Sequence, residues 1–300
     1  MFLNQALSVK NPFWMYLLGS FVIIIFTVIG QLPLTFFMTG ESLAAAGGDP
    51  MAALRNLDKN LQLLLLLICY VGGTLGHILV VEKLHERTLK SISTARERID
   101  WKRVWFAFVL WGGVTVVLVF ADYLASPEDY QWNFEPTSFA LLFLVAVALI
   151  PIQTSLEEYV FRGYLMQGFA SCFKSRWVAL LMTSLIFGTL HIFNPEVEKL
   201  GYGILAYYIG TGLFLGILTL MDQGIELALG FHAANNLFTA LLVTSSWTAF
   251  QTESLLIDIS TPSLGAELII SLFIFYPLFL WIMSKKYHWT AWKDKLISRL

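Results

Sequence analysis

The chain has 300 residues, 57% of them hydrophobic and 13% charged, with a formal net charge of −2. A soluble domain carries about 25% charged residues, so this composition excludes an ordinary soluble protein and points to a polytopic membrane protein. The net charge says little about partners, but the distribution of charge along the chain says more.

A spanning helix needs about 20 mostly apolar residues. Eight segments meet this, at about 13–36, 61–82, 104–124, 137–157, 177–194, 202–221, 225–244 and 265–284, which predicts an all-α polytopic integral membrane protein of about eight transmembrane helices. The start, MFLNQALSVKNPFWMYLL, lacks a basic stretch directly before a short apolar core, and no small-residue cleavage site follows it. The first segment is therefore expected as a retained helix. The stretch 82–103 reads equally as an amphipathic surface helix or a solvated basic linker. The spacings Gly72 to Gly76 and Gly212 to Gly216 suggest close helix contacts.

Lys and Arg concentrate on the cytoplasmic side of membrane proteins. Lys83, Arg87, Lys90, Arg96, Arg98, Lys102 and Arg103 fall between the second and third segments. Lys174 and Arg176 follow the fourth, Lys285, Lys286, Lys293, Lys295 and Arg299 follow the eighth, and Lys10 precedes the first. With eight helices all of these share one side. That predicts a multi-pass cell-membrane protein with both termini cytoplasmic, leaving only Arg55, Lys59 and Lys199 outside. Three regions are expected: N-terminal helices over 1–136, a core over 137–245, and a last helix with a basic tail over 246–300. The two cysteines, Cys69 and Cys172, form no disulfide framework or metal motif.

Ionisable groups inside spanning segments are costly and are functional candidates by default. The run TSLEEYVFRGYL places Glu157, Glu158 and Arg162 at the end of an apolar stretch. Residues four apart share a helix face, so Glu158 and Arg162 are placed to pair. Glu157 lies about 100° further round the helix, without a partner in its own helix and free to point into the bundle. Further along come His191, four residues after Phe187, and His232, four residues before Asn236. Residues 157 and 191 stand 17 positions either side of Lys174, so an antiparallel hairpin turning there sets them at one depth. His77 reads as a hydrogen-bonded core histidine and Glu226 as an interfacial charge.

A carboxylate beside an imidazole in a dry pocket suits general-base work. Its natural target is water, held by Glu157 with help from His191. His232 and Asn236 can donate to the oxyanion formed when water attacks an amide carbonyl. Glu157, His191 and His232 equally suit an open metal site with three protein ligands and one water, holding a divalent metal such as zinc, so the cofactor is a metal or none. No HExxH helix is present, which excludes a zincin-type site.

The three elements resemble the motifs of the CPBP intramembrane protease family, also called the Abi or CAAX-protease family, whose pattern is EExxxR, FxxxH and HxxxN on successive core helices. Here these are Glu157, Glu158 and Arg162, then Phe187 and His191, then His232 and Asn236, over about residues 137–245. Each motif alone is weak, but three in order on hydrophobic segments are specific. The resemblance implies a helical membrane hydrolase, an intramembrane endopeptidase, with Glu157 activating water, His191 assisting, and His232 and Asn236 at the oxyanion or in a metal shell. Glu158, Arg162 and Phe187 then support the reacting residues. Family members are described both as metalloproteases and as metal-independent glutamate proteases.

The partners expected are the lipid bilayer and a protein or peptide substrate, with no nucleic acid. Competing readings are a transporter or channel using the same residues as a proton or ion path, a non-catalytic immunity or scaffold protein, and a lipid-modifying hydrolase. The absence of two-fold internal similarity weighs against a transporter. An amide opposite Glu157 is needed by a hydrolase and not by a relay.

Overall fold

The computed structural model describes residues 2–7, 11–48, 53, 54 and 56–300. Lys10 and Arg55, used above to orient the chain, lie outside the described residues. Among those described, seven helices are long and apolar enough to cross a membrane. They are α1 (Phe13–Thr35), α2 (Lys59–Leu84), α3 (Trp101–Ala125), α4 (Pro136–Phe173), α5 (Arg176–Phe193), α6 (Ile204–Asp222) and, after an intervening shorter helix α7, α8 (Leu268–Lys286). The expected segment 225–244 forms α7 (Glu226–Leu242), a helix of 17 residues. At 1.5 Å per residue it is about 25 Å long, short of the ~30 Å hydrocarbon layer. It is buried on most of its surface, so protein rather than lipid surrounds it. The chain is an all-α polytopic membrane protein; among the described residues seven helices have membrane-crossing length, and the shorter α7 is the eighth expected segment.

The long α4 organises the bundle. Its N-terminal part packs between α2 and α7, its last turns run beside α5, and α7 packs in turn on α3. The glycine pairs act as spacers, as expected. A side chain on Gly76 would lie 2.6 Å from the Phe26 Cβ, and one on Gly212 would lie 3.0 Å from the Ser184 Cα. These pairs let α2 close on α1 and α6 close on α5.

A three-stranded sheet, absent from the helical expectation, closes one end of the bundle. Strands β1 (Tyr130–Trp132), β2 (Val243–Ser245) and β3 (Leu256–Asp258) lie in the order β1-β3-β2. β3 is antiparallel to β1 and parallel to β2, with Ile257 opposite both Gln131 and Thr244. Segments of three residues between helices carry no readable alternation, so the sheet is decided by the loops meeting in space.

The other end gathers both termini. The Phe2 amide donates to Gln223 at 2.9 Å, Arg176 donates to Asn4 at 2.9 Å, and the Leu300 amide donates to the Lys174 carbonyl at 3.0 Å. The basic stretch 82–103, read as an amphipathic surface helix or a solvated linker, is partly buried. It holds a short helix, Leu89–Ser93, and Arg87, Ile92, Ser93 and Thr94 are buried. Glu226, expected as an interfacial charge, is fully buried; Arg96 reaches it at 3.1 Å and Asp222 at 2.9 Å. Two carboxylates buried on adjacent helix ends need a cation, and they draw the linker inward.

His77 is a buried core histidine, but neither ring nitrogen is hydrogen-bonded among the described residues, in contrast to expectation. Its ring lies 5.8 Å from those of Tyr159 and Tyr164. Nearby His85, just past α2, meets the Tyr164 hydroxyl at 2.7 Å and packs on Tyr16. Burial first, and then the Arg87 charge, push the His85 imidazole down from 6.5 to about 4. The unfolded chain protonates this histidine below 6.5 while the folded chain resists until about 4. Stability therefore falls as pH drops through that window and is unaffected by it above 6.5. Unfolding in detergent, followed from pH 4 to 7.5 (an experimental range of about 3.5 pH units), should show that slope. His85→Gln should make it shallower; an unchanged slope removes His85 from the account.

Candidate active site

The site is assembled where α4 widens. Residues Tyr159–Leu165 form a π-helical stretch within α4, a local geometry frequent at functional sites. Eight residues earlier, Pro151 lies inside the helix and cannot donate a backbone hydrogen bond. Between these irregularities stand Gln153, Glu157 and Glu158.

Glu158 and Arg162 pair as their spacing predicts. Arg162 Nη1 donates to Glu158 Oε1 at 2.8 Å, and both side chains are buried. Arg162 also donates through Nη2 to the Gly212 carbonyl on α6 at 3.3 Å. Its guanidinium lies 4.3 Å from the centre of the Phe187 ring. The Phe187 ring is a hub: it packs on His191 at 4.9 Å, on Phe161 at 5.3 Å and edge-on to His232 at 6.2 Å. That accounts for an aromatic residue at this position, because one ring contacts a cation and two imidazoles.

His232 on α7 bridges the two glutamates. Its Nδ1 lies 2.7 Å from Glu158 Oε1, and its Nε2 lies 3.7 Å from Glu157 Oε2. Glu158 Oε1 already accepts from Arg162, and a carboxylate is an acceptor only. His232 Nδ1 therefore carries the proton, and Nε2 is the atom turned to Glu157.

Glu157 is more accessible than its neighbour, with 17% of its side chain exposed against none for Glu158. It does have a partner in its own helix, contrary to expectation. Gln153 Nε2 donates to Glu157 Oε1 at 2.6 Å. Gln153 in turn accepts from Asn236 Nδ2 at 3.2 Å, and Tyr70 on α2 lies against both Gln153 and Glu157. Sequence reasoning passed over Gln153, although its spacing of four from Glu157 was the available signal.

His191 ends α5. Its Nδ1 donates to the Phe187 carbonyl at 2.8 Å and its ring stacks on Tyr208 at 4.3 Å. The carbonyl is an acceptor, so the neutral ring keeps its lone pair on Nε2. Thus Glu157, His232 and Asn236 converge through direct contacts and Gln153, while His191 joins through its contact with the Phe187 ring. The metal set Glu157, His191 and His232 is not assembled as such. Among the described residues, no group of three or more His, Cys, Asp or Glu side chains is placed to hold a metal ion.

The comparisons agree with this architecture. A family model described as type II CAAX prenyl endopeptidase Rce1-like matches residues 136–238, from the first turn of α4 into α7. The uncharacterized protein YyaK of Bacillus subtilis strain 168 is 30% identical over 234 residues, covering 77% of this chain and 74% of its own. No solved structure matches. A family match confined to the helices that carry the glutamates and histidines, and a relative aligned along three quarters of both chains, place this protein in the Rce1-like CAAX-protease family of membrane proteins.

Proposed function

We propose that this protein is an intramembrane endopeptidase in which Glu157 activates water against the peptide bond of a membrane-bound protein or peptide. The observation that carries the reading is the unequal pair of carboxylates on one imidazole: Glu158 is sealed against Arg162, and Glu157 is open, with Oε2 facing His232 at 3.7 Å. One glutamate holds the histidine and the other is free to react.

In the step proposed, water gives a proton to Glu157 Oε2 as its oxygen bonds to the scissile carbonyl carbon. The negative charge passes to the carbonyl oxygen. His232, as the imidazolium with Nδ1–H on Glu158 and Nε2–H toward the site, and Asn236, through the amide hydrogen not used by Gln153, donate to that oxyanion. Collapse restores the carbonyl and breaks the C–N bond, and the proton held by Glu157 goes to the departing amine. His191, with a free Nε2 lone pair, assists in holding the water. No step is routed through a metal, since the three candidate ligands are not grouped as a metal requires.

The family description names prenylated CAAX proteins as substrates, and such peptides belong in the assay beside unmodified ones. The end carrying both termini and most of the basic residues is proposed to face the cytoplasm. The test uses purified protein in detergent with a mixed membrane-peptide library read by mass spectrometry, with and without a chelator. Cleavage that depends on Glu157 supports the reading. The chelator arm separates glutamate-base chemistry from metal-dependent chemistry. A folded wild type that cleaves nothing while moving protons or ions across liposomes would replace this reading with a transporter.

A further inference from the structure

Four hydrogen bonds join α3 to the open glutamate. Trp111 Nε1 donates to Asn235 Oδ1 at 3.1 Å, and Asn235 Nδ2 donates to Asn236 Oδ1 at 3.1 Å. Asn236 Nδ2 donates to Gln153 Oε1 at 3.2 Å, and Gln153 Nε2 donates to Glu157 Oε1 at 2.6 Å. A side-chain amide has an oxygen at one end and an NH2 at the other, and either end fits a given place unless a neighbour decides. Here both ends of the chain decide. An indole N–H is a donor only, and a carboxylate is an acceptor only. Between a fixed donor and a fixed acceptor, three amides in series have a single orientation that satisfies every link.

We propose that this chain is a positioning device for the reaction, with Trp111 as its anchor and Gln153 as its terminal residue. The reading of Glu157 as base is assumed for its catalytic consequence only; the directed chain itself is independent of it. The chain does two things at once. It engages Glu157 Oε1, leaving Oε2 as the oxygen that faces His232 and takes the proton from water. It also holds the Asn236 NH2 toward the site, with one hydrogen on Gln153 and the other available to an oxyanion. An amide turned the other way would present its oxygen to a developing negative charge and oppose the reaction.

Trp111 is suited to anchor it. The side chain is 6% exposed and its ring packs 4.4 Å from Phe231 and 6.0 Å from Phe279, so the indole N–H is held in one direction. Trp111 also lies outside the matched residues 136–238, which gives α3 a part in the site beyond packing. The competing account makes each link a local satisfaction of a buried polar group, with no communication along the series.

The experiment labels the tryptophan indoles of the full chain with 15N in detergent and identifies the Trp111 signal by its loss in Trp111→Phe. Gln153→Leu is two amides removed from Trp111. With a directed chain, the loss of the acceptor at Gln153 lets Asn236 and Asn235 reorient, and the Trp111 signal moves upfield. If each link is local, the signal in the folded variant stays where it was, and the proposal is overturned. Gln153→Glu is the second variant, of nearly the same size. It keeps the acceptor for Asn236, removes the donor to Glu157 and sets a second carboxylate against Glu157. The Trp111 signal should then hold while kcat falls roughly tenfold or more at similar KM; a shifted signal or a wild-type kcat overturns the proposal. If the wild type cleaves nothing in the library and the Trp111 signal still responds to Gln153→Leu, the chain stands and the hydrolase reading falls.

Discussion

Glu157→Gln should abolish peptide cleavage, by on the order of 10²- to 10⁴-fold in kcat as for loss of a general base, while leaving the fold in place. The substitution removes the charge and the proton-accepting oxygen but keeps a carbonyl that accepts from Gln153, which donates to Oε1 at 2.6 Å in the wild type. The side chain is partly open to solvent, so loss of its charge leaves no buried cation unpaired; the one buried cation nearby, Arg162, is matched by Glu158. Thermal unfolding in detergent should therefore be close to that of the wild type. Glu158→Gln should behave differently, with lower stability and a smaller loss of kcat, because Glu158 acts through His232 and does not reach the substrate. Mass spectrometry of library products from the three proteins reads the contrast directly. Cleavage by Glu157→Gln at the wild-type rate would move the base to another residue.

Arg162→Met should cost about 3–5 kcal/mol of stability, the range for breaking a buried ion pair by removing one partner. Glu158 is 0% exposed and its Oε2 has no hydrogen-bond partner among the described residues, so the carboxylate depends on Arg162 and His232 at Oε1. Without the guanidinium it is a charge in a low-dielectric interior, and the bond to Gly212 and the contact with Phe187 are lost as well. The double variant Glu158→Gln/Arg162→Met should recover a large part of the loss. Its neutral amide still offers an oxygen to His232 and no longer needs a counter-charge. Chemical unfolding in detergent gives the three free energies. An Arg162→Met loss within the roughly 0.5 kcal/mol typical of surface positions would contradict the buried pair. Equal losses in the single and double variants would show that packing, rather than charge, is what Arg162 supplies.

Much of this was legible in one sequence. Apolar runs of spanning length predict helices because a lipid environment satisfies backbone polar groups only within a helix. A spacing of four placed Glu158 on Arg162, and Phe187 before His191, because the helix repeat is nearly constant. The grouping of basic residues anticipated that both termini lie at one end. Where expectations failed, the cause was contact between elements distant in the chain. The stretch 82–103 read equally as a surface helix or a solvated linker, but Arg96 is drawn in by Asp222 and Glu226, more than 120 positions away. The segment 225–244 looked like any other span, yet α7 is too short to reach across the bilayer alone and is enclosed by α3, α4 and α6.

The sequence by itself determined the membrane class, the helices and the identity of the polar residues inside them, since hydropathy and helical spacing are local properties. Only the tertiary structure decided how the two glutamates divide. Glu158 became the sealed one because α7 brings His232 to it and α6 brings Gly212 to its partner Arg162, and Glu157 the open one because Gln153, itself held by Asn236, takes one oxygen and leaves the other toward His232. Adjacent residues of the same type cannot be told apart by composition or period. Their difference lies in which neighbouring helix each one faces, and that follows from the packing of the whole bundle.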